Sequence, residues 1–135
     1  MSEDKLQSDI VRKFSELYPL KRGQLFHVPN ERITALQRLK AKSIGVFSGV
    51  SDLIFIDTDI VKCLELKAPG SYHKVTHIQQ QVDWGKTMES IGNRWRIITT
   101  TSDAINFMNG NENVGLTTFE VQKIINESKN KTIRF

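Results

Sequence analysis

Two short apolar segments, Leu53-Ile54-Phe55-Ile56 and Ile60-Val61-Lys62-Cys63-Leu64-Glu65-Leu66-Lys67, lie three residues apart and carry charge where a sheet would bury it. The spacer Asp57-Thr58-Asp59 suits a hairpin. Successive side chains of a strand point to opposite faces, so Val61, Cys63, Glu65 and Lys67 share one face and Lys62, Leu64 and Leu66 the other. With Asp52 at the entry of the first segment, two carboxylates and an ammonium stand among Leu, Ile and Phe. Taking such ions out of water costs several kcal/mol each unless something compensates. One divalent cation would offset both carboxylates at once, an arrangement suited to metal-dependent phosphodiester hydrolysis.

The rest of the chain predicts alternating helices and strands. Glu3, Leu6, Ile10, Phe14 and Leu17 recur at helical spacing, so a helix is expected over 3–18, stopped by Pro19. An extended piece over 24–28 leads to Asn30, a good N-cap for a helix over 31–42. Gly45 and Gly49 bracket a turn before the first apolar strand. A helix over 74–90 carries Ile78, Gln81, Trp84, Met88 and Ile91 on one face, with Gln81 its polar exception and Trp84 expected in the core. Past Gly92, a strand over 95–100 should run parallel to an earlier one through a crossover. Ser102 is placed to cap a short helix ending near Asn109. Thr117-Thr118-Phe119-Glu120 forms a capping box with Leu116 and Val121 at staple spacing, and its helix reaches about Ser128. The basic tail over 129–135 is expected either to be loose or to pack Phe135.

A length of 135 residues fits one domain over 1–135, with a core over about 3–100 and a C-terminal helix and tail over 101–135. No apolar run approaches the roughly 20 residues of a membrane helix, so no membrane is expected as a partner. Met1-Ser2-Glu3-Asp4 is acidic where a secretion signal would be basic, and a single cysteine, Cys63, suits a reducing cytosol; a cytoplasmic location is expected. Nineteen Lys and Arg against 15 Asp and Glu leave a net charge of +4, which favours a polyanion over an acidic small molecule. The cations gather at Lys21 and Arg22, at Arg32, Arg38, Lys40 and Lys42, and at Arg94 and Arg96. Of the three histidines only His73 and His77 have a helical i, i+4 spacing, and Pro69-Gly70-Ser71 places His73 in a loop, so zinc is not expected.

An Asp at the start of a strand followed by Glu-x-Lys on the next resembles the PD-(D/E)XK nuclease superfamily. More narrowly, the order Glu3, Gly49-Val50-Ser51-Asp52, Glu65-Leu66-Lys67 and Gln81-Val82-Asp83-Trp84 is similar to the VRR-NUC family, especially its short stand-alone phage members. Ser51 stands where the superfamily name implies Pro; that residue shapes the turn and gives the metal no side chain. The resemblance covers most of 3–100. It implies an α/β, restriction-endonuclease-like fold with a mixed central β-sheet flanked by α-helices, and a Mg2+- or Mn2+-dependent DNA endonuclease. Asp52, Glu65 and the Leu66 backbone carbonyl would hold the ion, with Glu3 as a ligand directly or through water. Lys67 would orient or deprotonate the attacking water, Gln81 would contact that water or a phosphate, and His73, Lys74, Arg32 and Lys42 would touch nucleic acid. It further implies a homodimer cutting branched DNA such as Holliday junctions, in the cytoplasm of a bacterial host for a phage protein. Candidates for the interface are the last helix, with Phe119, Ile124 and Ile125, or the region of Trp95. A flap or nonspecific nuclease, or a catalytically silent DNA-binding module of the same fold, are the alternatives. Taken singly, the residues have plainer roles: Asp52 as a turn cap, Glu65 and Lys67 as an exposed strand pair, Glu3 as a helix-dipole partner.

Overall fold

A computed structural model describes residues 1–29, 34–45 and 47–135. Helix α1 (Glu3–Leu17) starts at Ser2, whose hydroxyl accepts from the Lys5 amide, and it buries Leu6, Ile10 and Phe14. Leu17, the last residue of the expected stripe, is exposed because the helix runs out there and Pro19 opens a short 3-10 turn, Pro19–Lys21. Strand β1 (Leu25–His27) follows, then helix α2 (Ala35–Ser43). Thr34 caps α2, its hydroxyl accepting from Gln37 N while the Gln37 side chain accepts from the Thr34 amide. The expected start at Asn30 and Glu31 lies outside the described residues.

Strands β2 (Leu53–Asp57) and β3 (Ile60–Leu66) form the expected hairpin, with Asp57 paired to Ile60 and Thr58-Asp59 as its two-residue turn. Asp59 takes φ 63°, a conformation Asp tolerates better than most residues. After β4 (Tyr72–Lys74) comes helix α3 (Val75–Ser90), and β5 (Arg94–Ile98) then pairs parallel to β3, as the crossover pattern requires. Helix α4 (Thr101–Met108) is capped by the Thr100 hydroxyl, which accepts from Asp103 N; the expected cap, Ser102, lies within the first turn. Helix α5 (Thr118–Glu127) begins with the predicted Thr117–Glu120 capping box.

The sheet order is β1-β2-β3-β5, antiparallel except at β3–β5, which makes it a mixed sheet between two helical layers. On one face Leu53, Phe55, Leu64, Leu66 and Ile98 meet Leu6, Ile10 and Phe14 of α1 and Ala104, Phe107 and Met108 of α4. On the other, Ile54, Cys63, Trp95 and Ile97 meet Ile78 and Val82 of α3 and Val121 of α5. The alternation along β3 thus sorts its residues as the sequence predicts. Trp95 is fully buried in this second layer, so it offers no surface for a dimer; its ring leaves no room for a Cβ at Gly85 of α3. Lys62, on the α1 side, is buried too and donates from Nζ to the carbonyls of Phe107 and Met108, the last residues of α4. A cation there complements the negative end of the helix.

The C-terminal tail is not loose. Strand β6 (Thr132–Arg134) pairs antiparallel with β4, Ile133 is buried, Phe135 N donates to Ser71 O, and Arg134 Nε donates to Gly70 O. Arg134 also stacks over the Tyr72 ring at 5.5 Å. This second, two-stranded sheet braces the loop that leaves β3. No described helix is long and apolar enough to cross a membrane.

Candidate active site

Continuing the β2–β3 ladder by one position beyond Leu53 and Leu64 sets Asp52 opposite Glu65. Both belong to the face occupied by Ile54 and Cys63, so the two carboxylates project side by side toward α3. Lys67, two residues on, follows them to the C-terminal end of β3, where its amide donates to Ile98 O. Parallel strands with a helical crossover commonly leave their ligand crevice at this end. The first turn of α1 brings Glu3 from the opposite layer, and α3 supplies His77 and Gln81 one turn apart. Together with His73 of β4 these residues line a polar cleft of about 210 Å³.

Inside the cleft the acidic groups outnumber their partners. Lys67 is 3% exposed, with Nζ 3.2 Å from Glu65 Oε1 and 3.9 Å from Glu3 Oε1. Asp52 Oδ2 accepts from the Leu66 amide at 2.8 Å. Glu65 is 2% exposed and its Oε2 has no hydrogen-bond partner; Gln81 Oε1 and the Ser51 hydroxyl are likewise buried and unpartnered. Burial, reinforced by the Asp52 charge, pushes the Glu65 carboxyl well above the usual carboxylate range. Burial also raises Asp52, against the pull of the Leu66 amide and Lys67, and raises Glu3, where Lys67 opposes it in part.

Two main-chain contacts fix this arrangement. His27 Nδ1 donates to Asp52 O at 2.8 Å, which ties β1 to the residue carrying the carboxylate. Gly49 has φ +92°, and a Cβ there would stand 2.7 Å from Gln80 O, so only glycine lets the 47–51 turn lie against α3. His73 is held by Ser71: that hydroxyl donates to Ala68 O at 2.6 Å, so it accepts from His73 Nε2–H at 2.7 Å and leaves Nδ1 as an acceptor. Burial, with Lys67 and His77 nearby, lowers the His73 pKa and favours the neutral ring.

Among the described residues no group of three His, Cys, Asp or Glu side chains stands in a metal-ligating cluster. The donors present are two facing carboxylates with an unpartnered oxygen between burial and charge. That set suits Mg2+ or Mn2+, which take one or two carboxylates and complete their shell with water and phosphate.

The cleft therefore gathers Glu3, Asp52, Glu65, Lys67, Gln81 and His73, all named from sequence. Lys42 and Lys74 are exposed and do not line it, and Arg32 lies outside the described residues. His77 lines the cleft although the sequence suggested it only as half of a zinc pair; its position one helical turn before Gln81 was the available signal.

A mixed sheet between helical layers, with paired carboxylates and a lysine at the end of its central strand, defines a restriction-endonuclease-like α/β fold. A solved structure described as a VRR_NUC domain protein superposes on the chain with a TM-score of 0.62 at 18% sequence identity, covering 86% of this chain and 92% of that one. The chain has the VRR-NUC fold. No protein-family model matches the sequence, and no curated protein matches it.

Proposed function

We propose that the chain is a Mg2+- or Mn2+-dependent DNA endonuclease that acts on branched DNA, such as four-way junctions, as a homodimer. The observation carrying this is the pair of half-buried Asp52 and buried Glu65, which the β2–β3 register, continued one position past Leu53 and Leu64, sets opposite one another with Lys67 beside Glu65. Asp52, Glu65 and the Leu66 carbonyl would hold the ion, with Glu3 as a further ligand directly or through water. A bound ion would supply positive charge at the scissile phosphate and make water a better nucleophile. Lys67, pinned between Glu65 and Glu3, is placed to donate to the attacking water or to a phosphate oxygen as charge builds up. Gln81 Oε1, buried without a donor, is an acceptor that can orient this water. His77 stands on the same wall as a donor to a phosphate oxygen, whereas His73, whose Nε2–H goes to Ser71, presents Nδ1 as an acceptor to a water or a substrate N–H or O–H. Exposed Arg38, Lys40 and Lys42 on α2, a helix with no acidic residue, give the wider surface its attraction for a polyanion.

Incubating the protein with supercoiled plasmid and with flap, fork, four-way and linear DNAs tests this directly. Cleavage should occur with Mg2+ or Mn2+, be abolished by EDTA, and be favoured on branched substrates. Ca2+, with its longer bonds and looser geometry, should support binding without efficient cleavage. Cleavage that survives EDTA would overturn the metal-dependent reading.

Two nearly symmetric cuts in one junction call for two sites facing it, most simply across a two-fold axis. The exposed Phe119 and Ile124 of α5 are the apolar surface we assign to that interface. Light scattering should give twice the 15.5 kDa chain mass, and Phe119→Glu should reduce it to the monomer. A wild-type monomer at working concentration, combined with equal cutting of four-way and linear DNA, would exclude junction resolution.

A further inference from the structure

Beside the acidic cleft lies a second cavity of about 260 Å³, lined by Phe47, Ser48, Gln80, Asp83, Trp84 and Thr87. We infer that this cavity binds an unstacked nucleobase of the DNA strand whose phosphate sits in the acidic cleft. The inference rests on the nuclease reading above.

The two cavities share a wall. Gln80 lines one and Gln81, the next residue of α3, lines the other, and Gly49, next to the Ser48 of the second cavity, packs against the Gln80 carbonyl. A strand whose phosphate lies against Gln81 therefore passes beside the residue that lines the second cavity. Aromatic walls suit the flat face of a base: Phe47 is 65% exposed, and Trp84 packs one side against the core while another lines the cavity. A second phosphate is disfavoured there, because the charged group in the lining is the Asp83 carboxylate. That carboxylate already accepts from Gln79 at 2.9 Å, an amide contact of the kind a base's N–H edge would make. Phosphate binding falls instead to the neighbouring cleft, where Lys67 and His77 stand.

The test uses fork DNA carrying 2-aminopurine at single unpaired positions next to the branch, with the full-length protein. In Ca2+ the wild type should quench the probe at one position as the base stacks, while Phe47→Ala binds the fork by anisotropy without quenching and Phe47→Tyr restores the signal. In Mg2+, Phe47→Ala should raise KM by about tenfold or more with kcat little changed. An abasic site at the quenched position should slow the wild type by a similar factor and leave Phe47→Ala unaffected. Quenching at no position, together with normal cleavage, overturns the base cavity and leaves the nuclease reading standing. Phe47-dependent quenching without cleavage in Mg2+ or Mn2+ supports the cavity and overturns the nuclease reading.

Discussion

Glu65→Gln should abolish cleavage and at the same time raise the thermal midpoint of the metal-free protein. The two effects have one origin. Glu65 is 2% exposed, faces Asp52, and has one oxygen, Oε2, with no donor, so that oxygen is left open to a ligand while Oε1 accepts from Lys67. An amide of the same shape removes the repulsion from Asp52 and the desolvation cost, while its Oε1 still accepts from Lys67 Nζ and the Lys67 charge keeps Glu3 and Asp52 as its counter-charges, a net gain on the order of 1–2 kcal/mol. The sign follows from the direction of the shift. A carboxyl held above its ordinary value of 4.5 imposes no penalty below that value; the penalty grows as pH rises from 4.5 toward the elevated folded-state value. The metal-free wild type should therefore lose stability relative to Glu65→Gln from about pH 5 to pH 8, with the two converging in acid. Added Mg2+ should stabilise the wild type and leave the variant unchanged. Calorimetry across that pH range, with plasmid nicking alongside, checks both halves; measurable cleavage by Glu65→Gln in ordinary Mg2+ would sink the assignment.

Lys67→Ala should act in the opposite sense on stability while also disabling the site. Its ammonium, 3% exposed, is the donor 3.2 Å from Glu65 Oε1, and nothing else in the cleft replaces it at that distance. Removing one partner of a buried pair leaves the other charge uncompensated. Metal-free Lys67→Ala should melt below the wild type at pH 8, and the gap should narrow near pH 5 as Glu65 takes a proton in place of its partner. On DNA the chemical step should slow by about 10²-fold or more, since a general acid-base or electrostatic contribution is gone while the carboxylates stay. Single-turnover kinetics separates this from binding. A loss confined to KM would reduce Lys67 to a phosphate contact.

The elements that build the cleft were the most legible in sequence, because local pattern and global role coincide there. Alternation along β3 fixes which face Glu65 and Lys67 share, the short spacer fixes the hairpin, and a polar Gln81 on an apolar helix face stands out because burial would orphan it. Other features depend on partners distant in the chain. Strand β6 is three residues long, with only Ile133 buried, and its pairing with β4 across 58 to 62 positions leaves no periodic trace. The same holds for Trp95, in a region expected as an interface candidate, whose burial depends on α3 closing over it at Gly85. Helix α4 starts at Thr100 rather than Ser102 because either residue can cap and strand β5 ends early enough, at Ile98, to free the first. By spacing His77 pairs only with His73, which hides its role, whereas its place one turn ahead of Gln81 puts it on the cleft wall.

The pairing of β4 with β6 has a practical corollary for anyone handling this molecule. Glu3 opens into the cleft, and at the other extreme of the sequence the Phe135 ring lies 5.9 Å from that of His73, so both extremities emerge beside the same few side chains. An affinity tag or fluorescent label joined at either extremity would sit at the mouth of this cleft, and its own charges would compete with any ion bound there. The exposed turn at Asn109-Gly110-Asn111, beyond α4, is a more neutral attachment point, since Gly110 has open space around it.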